Sequence, residues 1–120
     1  DTSAKLWVLS ENLGTWTTEE VFAAGTGTVW TVHHFHNMAV GEFYLTHDGP
    51  EIVMSWSPQT HNPGRVSVFG KSAGVWSHRL IWEDLDEMHG LALGDFDPRY
   101  TGLEVVTVGH PSEVLIFREL

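Results

Sequence analysis

The sequence predicts an all-β fold: four-stranded antiparallel β-propeller blades, about two and a quarter of them, so that the chain forms a partial propeller. Three observations lead there. First, His36-Asn37-Met38-Ala39-Val40-Gly41-Glu42-Phe43 repeats as His89-Gly90-Leu91-Ala92-Leu93-Gly94-Asp95-Phe96, and the match runs without a gap from Gly49-Pro50-Glu51-Ile52-Val53 to Gly102-Leu103-Glu104-Val105-Val106. Second, Leu6-Trp7-Val8-Leu9 with Gly14-Thr15-Trp16 repeats as Val66-Ser67-Val68-Phe69 with Gly74-Val75-Trp76, and Val114-Leu115-Ile116-Phe117 is a further copy of that strand. Third, the apolar runs are short and separated by turn residues. Repeats of about 40–50 residues built from such strands are the pattern of propeller blades.

The elements follow in order. Lys5–Leu9 alternates and is rich in β-formers, and Trp16–Phe22 follows the turn Glu11-Asn12-Leu13-Gly14. Val29–His36 is rich in β-branched and aromatic residues. Ala39–Phe43 and Glu51–Trp56 flank the turn at His47-Asp48-Gly49, and Arg65–Phe69 and Trp76–Trp82 flank Lys71-Ser72-Ala73-Gly74. Leu91–Asp95, Glu104–Val108 and Glu113–Phe117 complete the set, and the acidic stretch from Trp82 to Met88, which has no apolar face, reads as a loop. With each unit lettered A to D from its histidine-bearing strand, the chain reads C-D, A-B-C-D, A-B-C. As one partial propeller domain over 1–120, it divides into the end of one blade (1–35), a complete blade (36–82) and the start of the next (89–120). Small residues suit a crowded inner strand A, which accounts for Ala39, Gly41, Ala92 and Gly94. Because a propeller needs roughly 4–8 blades, the remaining blades are expected from the same parent chain or from homo-oligomeric copies. The open faces and edges of an isolated piece are association surfaces.

Composition bounds the partners. Sixteen Asp+Glu against six Lys+Arg leave a formal charge of −10, which speaks against phosphate-neutralising nucleic-acid binding and against attraction to an anionic membrane. No apolar run approaches the roughly 20 residues of a membrane-spanning helix. The absence of cysteine removes disulfide and thiolate chemistry without fixing the compartment. An acidic, Trp-rich, Cys-free β protein fits an extracellular or secreted location, and a cytoplasmic one is also compatible.

The unit Leu91-Ala92-Leu93-Gly94-Asp95-Phe96-Asp97, closed by Gly102-Leu103-Glu104-Val105-Val106, resembles the FG-GAP/VCBS class of propeller repeats: an apolar strand, Gly-Asp-hydrophobic-Asp, a Gly-containing turn and a second apolar strand. Such repeats occur in integrin-like propellers, lectins, polysaccharide lyases and sugar-processing enzymes. The His-His pair before strand A and the Gly-Val-Trp strand are most similar to the propeller part of aldos-2-ulose dehydratase-type sugar enzymes.

The resemblance implies a calcium loop at the A–B turn, with side-chain oxygens at alternating positions. Asp95 and Asp97 stand at its first two ligand positions and Glu104 at its far end, while Arg99 brings positive charge into it. In the earlier copy Glu42 and Glu51 remain, Tyr44 replaces the second acid and Asp48 is displaced. Read without the resemblance, the same aspartates cap backbone N–H groups of a tight turn.

Histidines supply a second candidate. On a strand, His34 and His36 share a face and His33 points away. His-x-His spacing offers two imidazoles to a transition metal. His36 corresponds to His89 and His34 to Glu87, so ligands from neighbouring inner strands are expected to converge at a channel mouth. The structural alternative is that His36 and His89 make a repeated contact at the entry to strand A. A histidine acting as general acid or base in a sugar site is a further option. His34-x-His36 followed by Glu42 and Gly49 also approximates a cupin metal motif, but the internal repeat opposes a jelly roll.

The repeat sorts the tryptophans. Trp16 and Trp76 are equivalent, and Trp7 and Trp82 lie on outer strands, so packing between strands or blades is expected of all four. Trp30 and Trp56 have no counterparts. With Tyr44, His47, His61 and Asn62 on nearby loops, they are the candidates for carbohydrate contact, since indole faces stack on sugar rings. No nucleophile elbow or phosphate-binding glycine loop is present. The expectation is therefore a carbohydrate-binding or accessory module. The enzymatic alternative is a metal-assisted sugar lyase or dehydratase using His33, His34, His36, Glu87 and His89. The third reading is a structural or protein-interaction segment.

Overall fold

The computed structural model describes residues 4–23, 34–43, 46–57, 63–84, 88–109 and 113–118. They form nine strands: β1 (Lys5–Asn12), β2 (Thr15–Ala23), β3 (His34–Gly41), β4 (Glu51–Ser57), β5 (Gly64–Ser72), β6 (Val75–Asp84), β7 (Met88–Gly94), β8 (Glu104–Gly109) and β9 (Glu113–Phe117). All pairing is antiparallel, in sheets ordered β1-β2, β3-β4-β5-β6 and β7-β8-β9. The fold class is all-β, and the sheets do not close into a ring.

Two boundaries differ from the expectation. The stretch from Trp82 to Met88 reads as a loop in the sequence, but β6 continues through Trp82 to Asp84 and β7 already begins at Met88. Val29–His36 and Ala39–Phe43 are expected as separate strands; residues 29–33 lie outside the described residues, and no break separates His36 from Ala39. A single strand, His34–Gly41, runs through with a register shift between Phe35 and Asn37. His36 is the extra residue of this bulge, and β7 repeats the shift between Met88 and Gly90, with His89 as the extra residue. A bulge keeps the ladder going while turning over which side chains face the core. Phe35 thereby reaches the same core cluster as Ile52 and Met54, although Met38 and Val40 begin a new alternation.

The backbone repeats as closely as the sequence does. The β1–β2 and β5–β6 hairpins both turn on two residues of positive φ, Leu13-Gly14 (50° and 82°) and Ala73-Gly74 (50° and 78°). Those values describe the primed turn that suits the right-handed twist of a two-residue hairpin. The register shifts that skip Val21 in β2 and Ile81 in β6 are also equivalent.

The sheets stack face to face through two apolar layers. Leu6, Phe22, Ile52, Met54, Trp56 and Phe69 fill the layer between the first and second sheets. Phe43, Val53, Val66, Val68, Met88 and Val105 fill the layer between the second and third. Strand β4 shows why one sequence serves both: Ile52, Met54 and Trp56 point one way, Val53 the other, and all seven of its residues are buried. A strand buried on both faces reads as a continuous apolar run, which is the character of Ile52-Val53-Met54. Each Val taken out of water here contributes about 1.5–3 kcal/mol.

Candidate functional site

The A–B turns are built around buried glutamates. Glu51 is fully buried; its Oε2 accepts the Phe43 amide at 2.6 Å, and its Oε1 lies 2.8 Å from His47 Nδ1. The His47 ring is seated directly on the backbone of Gly70, so close that a Cβ there would lie 2.2 Å from Nδ1. Asp48 ties the same turn to the β5–β6 hairpin: its amide donates to the Lys71 carbonyl and its Oδ2 accepts the Ala73 amide, each at 2.7 Å. His47, a candidate for carbohydrate contact, shapes this turn by facing Glu51, since a buried carboxylate needs a donor for its second oxygen.

The following turn keeps half of this arrangement. Glu104 is buried and its Oε2 accepts the Phe96 amide at 2.7 Å, whereas its Oε1 has no partner. The position of His47 is taken by Tyr100 and that of Gly70 by Arg118, whose guanidinium lies 4.2 Å from the Tyr100 ring centre. Asp97 accepts from Arg99 Nε at 2.9 Å, from Arg99 NH2 at 2.7 Å and from the Arg99 amide at 3.1 Å, and Arg118 approaches to 3.7 Å. The Arg99 hydrogen bonds hold the Asp97 carboxyl down at about 2. Asp97 is thus committed to arginine and Glu104 to a backbone amide. Asp95 is exposed on this short turn, and a calcium ion takes six to eight oxygen ligands, whereas here Asp97 faces arginine and Glu104 a backbone amide. Among the described residues no group of three or more His, Asp or Glu side chains is placed to hold a metal.

The two bulge histidines do meet. The rings of His36 and His89 are 5.2 Å apart, edge to face, where β3 and β7 lie side by side. His36 Nε2 is 2.8 Å from Ser57 Oγ, and Ser55 Oγ donates to the His89 carbonyl at 3.2 Å. The two histidines that correspond in the repeat are thus in ring contact across neighbouring strands. His33 and Glu87 lie outside the described residues, and of His34 only the backbone is described.

Trp56 is a core residue, 1% exposed. Its Nε1 donates to Ser67 Oγ at 2.7 Å and the Arg65 guanidinium lies 4.8 Å from its ring centre. No ring face is left for a sugar. The indole was singled out because Gly109 replaces it in the repeat, but its register opposite Arg65 in the central sheet turns it into the first apolar layer. Trp30, Tyr44, His61 and Asn62 lie outside the described residues.

The remaining tryptophans divide by neighbour. Trp76 packs on the first apolar layer and its Nε1 donates to Glu19 Oε1 at 3.0 Å, beside Lys71 Nζ at 2.7 Å. Trp82 meets Phe117 at 5.5 Å between ring centres. Trp7 and Trp16, expected to pack, are exposed. They sit on the outer side of the first sheet, against which no other sheet lies among the described residues. A cleft of about 430 Å³ between β6 and β9 includes Phe43, Leu80, Phe117, Arg79 and Arg118 in its lining and none of the expected site residues.

No family model, curated protein or solved structure matches this chain.

Proposed function

We propose that this chain is a structural and protein-interaction segment of a propeller-type array of blades, acting through the faces of its end sheets. One observation carries the reading. Val66 and Val68 of the central sheet are 0% and 2% exposed beneath the third sheet, while their repeat equivalents Val114 and Ile116 are 67% and 51% exposed. β-branched residues at corresponding positions are core where a described sheet lies opposite and exposed where none of the described sheets does. Trp7 and Leu9 stand likewise at the other end, opposite to Ser67 and Phe69 in the repeat. Contiguous apolar surface of this kind is an interaction surface. The strand order within the sheets is the one the FG-GAP/VCBS-like reading requires, which supports it.

The test is native mass together with binding of a hydrophobic dye. Concentration-dependent association, or dye binding abolished by the Val114→Asp/Ile116→Asp double variant, is the expected result. A monomer that melts cooperatively and binds no dye would overturn the reading.

A second reading, a transition-metal site of the lyase or dehydratase kind, is favoured by the meeting of His36 and His89. It predicts stoichiometric zinc or nickel binding that His89→Ala removes. Zinc titration calorimetry giving no heat would dismiss it.

A further inference from the structure

The internal repeat specifies what kind of unit fits beside the first sheet. Leu91 and Leu93 of β7 are packed into the second apolar layer, against the inner strand of the sheet before them. The fit is close: Leu93 Cδ1 lies 3.0 Å and Leu103 Cδ1 2.8 Å from where a Cβ of Gly41 would stand. The small inner-strand residue is the socket and the leucine of the following sheet is the knob. Met38 and Val40 are the repeat equivalents of Leu91 and Leu93, and they are 56% and 59% exposed. They project toward the first sheet, but that sheet consists of β1 and β2 alone, the counterparts of β5 and β6. Among the described residues no strand in it corresponds to β3 and β4.

A second observation, independent of burial, marks the same absence. β5 pairs with β4 and β9 with β8, whereas β1, their equivalent, pairs with β2 and with no other strand among the described residues. Its other edge carries backbone groups of a kind that accept an added strand. The free edge of β1 and the bare pair Met38/Val40 thus mark two sides of one two-stranded gap.

We infer that this gap is a docking site for an antiparallel two-stranded β-unit of the same repeat type, which adds its outer strand to the edge of β1 and lays its inner strand over Met38 and Val40. The inference rests on the blade-array reading and deepens it by naming the occupant. Its chemistry follows from the interface already present between β3-β4 and β7. The inner strand carries Ala or Gly where it faces Met38 and Val40, as Ala39 and Gly41 do at the next interface. The outer strand carries a Ser or Thr whose hydroxyl reaches the His36 carbonyl, as Ser55 Oγ reaches that of His89. At the far end of the stack the corresponding socket is partly filled from within: the Phe96 ring lies 2.4 Å from the position of a Gly94 Cβ. That makes the Met38 end the better acceptor.

The chain has no cysteine, so a single introduced thiol reports its own exposure without background. The full chain is extended at its N-terminus by a second copy of its residues 36–63, which brings an A–B unit and its natural connection into reach. Labelling of Met38→Cys is then compared with and without the extension, and Val114→Cys serves as the reporter at the other end. The expected result is at least about tenfold slower labelling of Met38→Cys, slowed amide exchange at the β1 edge, and unchanged labelling of Val114→Cys. Unchanged Met38→Cys labelling, or protection of Val114→Cys instead, overturns the inference. So does protection of Met38→Cys that appears in the unextended chain as concentration rises, because a second copy is then the occupant. If the extension does not protect while the unextended chain still binds dye at Val114 and Ile116, the inference alone fails and the blade-array reading stands.

Discussion

Glu51 and Glu104 hold the same place in two copies of one turn, and only Glu51 has both carboxylate oxygens partnered. Each accepts a Phe amide through Oε2, at 2.6 Å from Phe43 and 2.7 Å from Phe96. Oε1 of Glu51 has His47, and Oε1 of Glu104 has no partner. Removing one member of a buried hydrogen-bonded pair costs about 1–3 kcal/mol, whereas removing charge from an unpartnered buried group costs little. Glu51→Gln is therefore expected to lower stability in urea by about 1–3 kcal/mol, and Glu104→Gln to be neutral or stabilising. Equal losses in the two variants would show that the unpaired oxygen carries no penalty.

His47 and Gly70 act as a unit. A methyl group at residue 70 enters the space of the imidazole and pushes it off Glu51. Gly70→Ala is expected to cost about 1–3 kcal/mol in the native background. In a His47→Ala background the same change should cost markedly less, because no ring remains to displace. A double-mutant cycle reads this directly; additive losses would separate the two residues.

Trp56 is predicted to behave as core. Trp56→Ala should destabilise by about 3–5 kcal/mol, and Trp56→Phe by about 1–2 kcal/mol through the Ser67 hydroxyl left behind. Its fluorescence should be shielded from iodide and indifferent to added sugars. Iodide quenching as strong as that of exposed Trp16 would show that the ring is accessible.

Two groups predict the same sign of pH dependence in separate windows. His78 is partly desolvated, its ring stacked on Phe69 at 6.0 Å and tilted against Phe22 at 5.0 Å, and this desolvation lowers its pKa below 6.5. The unfolded chain then takes up the proton first, so stability falls as pH drops from about 6.5 through the folded-state value. Asp97, held at about 2 chiefly by Arg99, gives up its contribution as pH falls from about 3.8 toward 2. Denaturation midpoints across pH 7.5 to 5.5 should decline in the native chain and flatten in His78→Gln. An NMR titration placing His78 above 6.5 would reverse the first expectation.

Much of this was readable from residue order. Strand alternation, the Leu13-Gly14 and Ala73-Gly74 turns, and the pairing of His36 with His89 as equivalents all follow from local pattern, because backbone preferences and a period of two act over a few residues. The bulges at those histidines did not follow: an inserted residue leaves the composition of a strand unchanged and shows only in the ladder. Trp56 follows the same logic. Its lack of a counterpart is visible in the residue order, whereas its burial is set by register against β5.

By itself, then, the sequence determined that the chain is β-structured and repetitive, and which positions correspond. Only the tertiary structure decided which corresponding positions are core and which are surface, since burial depends on whether another sheet lies opposite. Val66 and Val114 share a residue type and a place in the repeat. They differ because a third sheet covers Val66, whereas no sheet among the described residues covers Val114.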